Sequence, residues 1–352
     1  MELERLGWNA RWAERFAALG DDTLQPCRIA WQGSAQYRVL GAAGEQVAVL
    51  PGRWRLNQGG ALPVVGDWVA AAPAGDLWRI EALMARESVI SREAAGTRTE
   101  RQTIAANLTD VLLLSDGSDF NPRRLERYLL AVRDAQLTVV VNKADLAPDR
   151  AAIGSAVARS LPGVAVLFVS ALSGEGLAEF EPLLAPGRTI ACVGSSGVGK
   201  STLINRLLGA DHQATGAVRA SDSRGKHTTT QRELLFLPSG AMIIDTPGLR
   251  ELSPWFDDGH DAADAFDDVT ALTAACHFRN CTHQEEPGCA VRAAVARGDL
   301  DPGRLANLGK LQREAAYQES RTDQSVASAR RKREKSMGKL VRDLERWHPK
   351  RR

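Results

Sequence analysis

The sequence has few of the features that anchor a protein in a membrane or brace a secreted fold. Only five of its 352 residues are cysteine, so a disulfide framework is not indicated. No apolar run approaches the roughly 18 residues that a membrane-spanning helix needs. The first 16 residues mix charges throughout and lack the apolar block of a secretory signal. We therefore expect a cytoplasmic protein that makes no membrane contact.

The overall composition is that of a soluble globular chain, with 44% apolar and 25% charged residues. Its length predicts two or three domains. Charge is uneven: residues 321–352 hold 12 Lys or Arg and 4 Asp or Glu, a net of +8, whereas the whole chain carries +2. The rest is therefore acidic at −6. A basic tail on an acidic body favours a polyanion partner. The alternative is a solvated tail that touches nothing.

The first 95 residues contain two kinds of pattern. Residues 1–20 predict one short helix, with Trp8, Trp12 and Phe16 on a packing face. Residues 27–95 contain five short β-type runs separated by Gly, Pro and Asn, which predict a small barrel. Basic and aromatic residues on this barrel are able to stack on and neutralise RNA: Arg28, Arg38, Arg53, Arg55, Trp31, Tyr37 and Trp54. Composition alone favours the alternative, an ordinary barrel core and rim.

Residues 103–255 alternate between strand and helix patterns. Five nearly pure apolar runs lie at 111–114, 138–141, 164–170, 189–194 and 241–246. Such runs are typical of strands buried on both faces in a parallel sheet covered by helices. From about residue 260 the chain is polar and helical in pattern.

A phosphate-binding loop follows the fourth apolar run. Gly194 to Ser201 fits G-x-x-x-x-G-K-[ST] between a strand and a helix, which is the context that the motif requires. Lys200 is expected to reach the terminal phosphates and Ser201 to ligate magnesium. The expected nucleotide contacts are Gly194, Ser195, Ser196, Gly197, Val198, Gly199, Lys200, Ser201 and Thr202.

Two further motifs complete a nucleotide site. Asp245-Thr-Pro-Gly248 ends the fifth run, where the Asp can hold magnesium through water and the Gly N–H can sense the γ-phosphate. Asn142-Lys143-Ala-Asp145 ends the second run. There Asp145 can accept from guanine N1–H and the 2-amino group together, while Asn142 braces the loop and Lys143 lies against the base. Ser170-Ala171-Leu172, after the third run, resembles the second base-contacting loop of GTPases.

The order of these motifs differs from that of an ordinary GTPase. The base loops at 142–145 and 170–172 precede the phosphate loop, and the DTPG motif at 245–248 comes last. This is a circular permutation, which a fold tolerates when its original ends lie close together. With the segment Gly225–Thr230, GKHTTT, the chain resembles the ribosome-small-subunit-dependent GTPase A family over nearly its whole length.

The resemblance implies a multidomain fold: a β-barrel of the OB-fold type, a circularly permuted α/β P-loop GTPase domain and a helical zinc-binding domain. The expected boundaries are a helical extension at 1–26, the barrel at 27–97, the GTPase domain at 98–258 and the zinc-binding domain with its basic tail at 259–352. It also implies binding to the small ribosomal subunit and its rRNA late in assembly, with GTP hydrolysis stimulated there.

Leu249 stands where many GTPases carry the Gln that orients the attacking water. An apolar side chain cannot do this, so another residue or the partner must. His227 is the best internal candidate, and the resemblance points the same way; the alternative is that it contacts RNA or shapes its loop. Thr229 is the expected magnesium-binding threonine, with Thr228 and Thr230 as alternatives.

Three of the five cysteines crowd near a histidine. Cys276, Cys281, His283 and Cys289 form a complete tetrahedral zinc set without an open position, which indicates a structural site. His277 is a competing ligand that fits the spacing less well.

The resulting hypothesis is a monomeric, zinc-containing, circularly permuted GTPase that uses magnesium with GTP. Two other classes stay open. One is an RNA-binding assembly scaffold that binds GTP but scarcely hydrolyses it, and Leu249 keeps it open. The other is a translation- or DNA-associated GTPase, because neutralisation of a phosphate backbone is not sequence-specific.

Overall fold

The computed structural model describes residues 2–52, 54, 62–94, 101–209, 232–245 and 266–321, without the side chains of Arg133 and Asp245. Within these ranges no helix is both long and apolar enough to cross a bilayer. The chain divides into two compact units. The first comprises Met1–Arg92 with Thr103–Pro254, and the second comprises Glu93–Gln102 with Trp255–Arg352. The domain boundaries expected from the sequence stay a prediction.

Five strands close into a barrel. They are β1 (Gln25–Gln32), β2 (Tyr37–Gly41), β3 (Gly44–Val49), β4 (Trp68–Ala74) and β5 (Leu77–Leu83). Strand β1 pairs with both β2 and β4, and β3 and β5 complete the circuit. The prediction of a small five-stranded barrel is confirmed.

The N-terminal segment is not the single helix that the sequence predicts. A 3₁₀ helix at Leu3–Leu6 ends at Gly7, which has a φ of 84°. Helix α1 (Ala10–Ala17) then begins at Asn9, whose side chain caps it by accepting from the N–H of Trp12 at 3.1 Å. The left-handed glycine and the new cap break the helical path.

The aromatic stripe of this segment packs on the barrel. Trp8 and Trp12 lie 4.7 Å and 6.2 Å, between ring centroids, from Trp68 at the start of β4. Trp8 also contacts Phe16 edge-on at 6.1 Å. The stripe is therefore a packing face, as predicted.

A small sheet leads from the barrel to the second half of unit 1. It consists of β6 (Val89–Glu93), β7 (Arg101–Ala106) and β9 (Val132–Arg133). The main sheet follows, with strands β8 (Asp110–Asp116), β10 (Gln136–Asn142), β11 (Ala165–Phe168), β12 (Thr189–Gly194), β13 (Glu233–Phe236) and β14 (Met242–Asp245).

The main sheet has the order β11-β10-β8-β12-β14-β13, and all neighbours except β13 and β14 are parallel. The five predicted apolar runs are these five parallel strands. The helices of this part are α2 (Pro122–Leu129), α3 (Arg150–Ser160) and α4 (Lys200–Leu208), with 3₁₀ helices at Ala144–Leu146 and Leu177–Leu184.

The barrel and the main sheet share hydrogen bonds. Strand β13 pairs antiparallel with β1, with Trp31 opposite Glu233, so that eleven strands form one continuous sheet. Arg38 on β2 spans this seam: it donates to Glu233 and to Glu45, the latter at 3.3 Å, and lies over the ring of Trp31. Two carboxylates thus offset the charge of Arg38.

Arg28 belongs to the barrel core, as the alternative favoured by composition predicts, and not to an RNA-binding surface. Its side chain is 2% exposed and its guanidinium donates to the carbonyls of Leu6, Gly66 and Asn107, the last at 2.9 Å. It therefore joins the N-terminal segment, the barrel and the turn between β7 and β8. Tyr37 is also buried, so both residues belong to the core. Arg53 and Arg55 lie outside the described residues.

Between residues 266 and 321 the second unit is mainly helical. It contains α5 (Asp267–Thr273), α6 (Ala290–Arg297) and α7 (302–321). Arg304 of α7 is buried, lies over the ring of Phe266 and makes a two-point ion pair with Asp268 at 2.8 and 2.7 Å. This pair fixes α7 on α5. The basic tail beyond residue 321 lies outside the described residues.

Candidate functional site

The predicted nucleotide residues converge on one edge of the main sheet. Strands β8, β10 and β12 are parallel neighbours, so their carboxyl ends meet there. In the register Asn142 lies beside Asp116, and Gly194 lies beside Leu114. Ligands of open α/β sheets bind outside this edge. The permutation changes the order of the strands along the chain and leaves this meeting point intact.

The phosphate loop runs from β12 into α4. Gly197 and Gly199 have φ angles of 79° and 93°, which residues with a side chain rarely adopt. The loop closes over a buried Val198, and the Lys200 ammonium folds back onto it, donating to the carbonyls of Gly194 and Ser195. The loop therefore has the tight turn that wraps backbone N–H groups around phosphate oxygens.

Glycine at 199 is required by a neighbour as well as by its backbone angle. A Cβ there would lie 2.2 Å from the Asn142 Nδ2 atom. Asn142 itself is 2% exposed. Its Nδ2 donates to the Val198 carbonyl at 2.8 Å, and its Oδ1 accepts from the Ala171 N–H at 3.0 Å. One amide thus joins the phosphate loop and both base loops.

Lys143 is held by a residue that the motif search missed. Its backbone is left-handed, with a φ of 56°, and its ammonium lies 2.6 Å from Asp116 Oδ2 at the end of β8. Burial works against ionisation of Asp116, but hydrogen bonds from Lys143 and Ser118 outweigh it and lower the pKa of this carboxyl. Asp116 and Lys143 meet because β8 and β10 are parallel neighbours, with Asp116 beside Asn142 in the register.

The residues expected to contact the base differ in their exposure. Asp145 is exposed in the 3₁₀ helix Ala144–Leu146. Ser170 and Ala171 are buried, whereas Leu172 is 84% exposed. An exposed carboxylate next to an anchored Asn and Lys is able to accept two hydrogen bonds from a guanine edge.

Several predicted residues lie outside the described part of the chain. These are His227, Thr229, Gly248 and Leu249, together with the side chain of Asp245. The backbone of Asp245 ends β14, beside the phosphate-loop strand.

The predicted metal ligands come together in the second unit. The ligand atoms of Cys276, Cys281, His283 and Cys289 all lie within 4.8 Å of one another. His283 Nδ1 is 3.7 Å from Cys276 Sγ and 3.5 Å from Cys289 Sγ, and these two sulfurs are 4.0 Å apart. Such separations suit the edges of a tetrahedron with metal–sulfur bonds of about 2.3 Å. The group can hold a metal ion.

Backbone N–H groups at the start of α6 donate hydrogen bonds to two of these sulfurs. Cys289 caps α6, where its Sγ accepts from the Arg292 N–H at 3.4 Å. Burial opposes ionisation of Cys276, but hydrogen bonds from the N–H groups of Val291 and Ala290 outweigh it and lower the pKa of the thiol. A helix N-terminus favours the thiolate that binds metal.

Glu286 shapes the loop between the ligands. Its carboxylate accepts from the N–H groups of Thr282, Gln284 and Glu285 at 2.8, 3.0 and 3.2 Å, and from the Thr282 hydroxyl. Hydrogen bonding by Thr282 is the main reason that the pKa of Glu286 falls to about 2. This wrap holds His283 in its left-handed conformation, with a φ of 62°.

The competing ligand takes another position. The ring of His277 packs edge-on against Phe278 at 4.6 Å, and it is not in the group of ligand atoms.

Known proteins match this chain over nearly its whole length. A protein called small ribosomal subunit biogenesis GTPase RsgA from Opitutus terrae is 44% identical, with 98% of each chain covered. One of the same name from Syntrophotalea carbinolica is 39% identical, with 99% of this chain and 98% of the relative covered. The sequence model of the RsgA GTPase family matches residues 83–255. The chain belongs to the RsgA GTPase family.

Solved structures agree on the fold of this RsgA GTPase. YjeQ from Thermotoga maritima has a TM-score of 0.60 at 22% identity, with 83% of this chain and 99% of that chain covered. YloQ, described as a circularly permuted GTPase, has a TM-score of 0.58 at 23% identity, with 84% and 96% covered. At these identities the likeness establishes the fold alone. Membership of the family makes the chain a GTP-hydrolysing enzyme.

Proposed function

We propose that this enzyme binds the small ribosomal subunit late in its maturation and hydrolyses GTP with stimulation by the subunit. The observation that carries the proposal is the end-to-end match to two relatives whose names place them in small-subunit biogenesis. The site supports it, because the phosphate loop and the two base loops meet at one edge of the main sheet.

Guanine recognition falls to the loop after β10. Asp145 accepts from N1–H and the 2-amino group, and adenine lacks donors in those places. Adenine would leave the carboxylate unpaired, and this penalty gives a selectivity for guanine of roughly 10⁴. Lys143, anchored on Asp116, lies against the base, and Asn142 holds its loop to the phosphate loop.

Phosphate and magnesium are held by the phosphate loop, the GKHTTT segment and the DTPG motif. Lys200 neutralises the terminal phosphates, and Ser201 and Thr229 ligate magnesium. Asp245 would help to hold the ion, and the Gly248 N–H would sense the γ-phosphate. A magnesium ion held there would neutralise charge on the phosphates during hydrolysis.

Water activation is assigned to His227, because Leu249 has no polar atom to orient water. The isolated protein then turns over GTP slowly, because the subunit completes the catalytic arrangement. Replacing His227 with Ala should abolish stimulated turnover while GDP affinity stays within about twofold. Unchanged stimulated turnover would remove His227 from the mechanism.

Zinc is the proposed occupant of the Cys276, Cys281, His283 and Cys289 group. Three thiolates and one imidazole, with no open position, are typical of a structural zinc site. The metal stabilises a polar segment that has little apolar core of its own.

The basic tail is the proposed contact to rRNA, and the protein acts as a cytoplasmic monomer. Arg28 is buried and Arg38 is offset by two glutamates, so the charge of the described barrel surface adds little. Sedimentation with purified small subunits across a salt series tests this. Deleting residues 325–352 should weaken binding and flatten its salt dependence. An unchanged affinity and slope would contradict the role of the tail.

A further inference from the structure

The two base loops leave different strands and must keep a fixed separation to contact one base together. Near the strand ends they are joined by two hydrogen bonds. The Ala144 N–H donates to the Val169 carbonyl at 3.0 Å, and the Ala171 N–H donates to Asn142 Oδ1 at 3.0 Å. Asp145 and Leu146 extend beyond these links toward solvent.

Arg150 makes a third link, farther out. Its Nε and Nη2 donate to the Ala144 carbonyl at 3.1 and 2.9 Å, and its Nη1 donates to Glu175 Oε1 at 2.7 Å. One planar guanidinium therefore grips the backbone of the first loop and a side chain of the second. No motif includes either residue.

Both ends of this link are anchored. Arg150 is the first residue of α3, whose start is fixed by Asp149 accepting from the Ala152 N–H at 2.9 Å. The Glu175 carbonyl accepts from the Ser170 N–H at 3.0 Å. Glu175 is therefore hydrogen-bonded to the backbone of the loop that contains Ala171.

The electrostatics agree with this placement. The pKa of Arg150 is raised, chiefly by its hydrogen bond with Glu175 and also by attraction to Glu175 and Asp145. The guanidinium thus lies close enough to sense the carboxylate proposed to read guanine. The two side chains of the ion pair are 42% and 46% exposed, so the pair adds little to folding stability. The effect of the ion pair is to fix the separation of the two base loops.

We infer that Arg150 is a positioning residue for guanine recognition, which clasps the loop of Asp145 to the loop of residues 170–175 so that both loops meet the base edge at once. The inference rests on the proposed guanine site. Without the clasp the Asp145 loop is free to shift, and the two hydrogen bonds of Asp145 to guanine are the first to weaken.

The test compares GDP with IDP, because hypoxanthine lacks the 2-amino group and keeps only one of those two bonds. Equilibrium affinities of the full-length protein are measured for wild type, Arg150→Ala, Arg150→Lys and Glu175→Gln. Arg150→Ala should weaken GDP binding roughly three- to tenfold and weaken IDP binding less, so that the GDP/IDP preference shrinks. Arg150→Lys, which keeps the charge but loses the planar fork, should fall between it and wild type.

The matched control is Arg297→Ala. Arg297 forms an equally short ion pair with Asp299 in the second unit, at 2.7 Å, with side chains that are 61% and 60% exposed. It should leave both affinities unchanged, and all variants should share the wild-type melting temperature. Equal losses for GDP and IDP in Arg150→Ala, or no loss, would overturn the inference. A wild type that shows no preference for GDP over ADP would instead overturn the guanine site itself.

Discussion

The side-chain amide of Asn142 donates to the carbonyl of Val198 at 2.8 Å, across 56 residues of sequence. The base loop and the phosphate loop are thus joined directly, although their order along the chain is reversed. A circular permutation moves the chain ends but preserves the strand neighbours, and the strand neighbours build the site.

Replacing Asn142 with Ala should lower GDP affinity about tenfold or more. The change leaves the buried Val198 carbonyl and the Ala171 N–H without their partner, and each such group costs about 1–3 kcal/mol. Fluorescence titration with a labelled GDP measures the effect. The control is Asn121→Ala, which removes only the cap of α2 and should leave GDP affinity unchanged. Wild-type affinity in Asn142→Ala would contradict the bracing role.

Replacing Arg28 with Met should destabilise the fold by about 3 kcal/mol or more, because the carbonyls of Leu6, Gly66 and Asn107 each lose a donor. The Gly66 carbonyl keeps the Asn107 side-chain amide as a second donor. Burial lowers the pKa of Arg28 to about 10, so the side chain stays charged at neutral pH. Urea unfolding measures the change.

The control for Arg28 is Arg79→Met on β5, an exposed position where we expect a change within about 0.5 kcal/mol. A variant of Arg28 with wild-type stability but weaker RNA binding would restore the RNA-contact interpretation.

Local spacing predicted the phosphate loop, the base loops, the five parallel strands and the metal ligands, because each depends on residues close in sequence. Composition favoured core and rim over RNA contact for the basic and aromatic residues of the barrel. It could not place Arg28 individually, because its neighbours Cys27, Ile29 and Ala30 are all buried and β1 shows no alternation. The helix over residues 1–20 failed at Gly7, whose left-handed backbone has no signal in the apolar spacing.

The supporting residues were not predictable from motifs. Asp116 meets Lys143 because β8 and β10 are neighbours, and Arg150 meets Glu175 because two separate loops come together. The pairing of β13 with β1, which joins the sheet to the barrel, is likewise a long-range contact. Such partners follow from the assembled sheet.

Metal removal should change which thiols react. In the metal-loaded protein none of the five cysteines should be alkylated rapidly at pH 8, since Cys27 and Cys192 are buried and the other three are ligands. Burial raises the pKa of Cys27 to about 12, so Cys27 stays protonated at pH 8 and does not react. After chelation three cysteines should react, as counted by mass spectrometry. Rapid labelling of the Cys276–Cys289 segment before chelation would contradict the metal site.

Replacing Glu286 with Gln should weaken zinc binding about tenfold. The amide keeps one acceptor oxygen but turns an NH₂ group toward N–H donors, which loosens the loop that places His283. Competition with a chromogenic chelator measures the affinity. The neighbouring, exposed Glu285→Gln is the matched control and should bind zinc as wild type does. Equal affinities for both variants would show that the carboxylate wrap does not place the ligand.

The most direct test of the account is GTP turnover by the purified protein, alone and with small ribosomal subunits, with ATP and large subunits as controls. The account predicts slow turnover alone, many-fold stimulation by small subunits only, and no hydrolysis of ATP. Turnover that small subunits leave unchanged, or that large subunits raise equally, would contradict it.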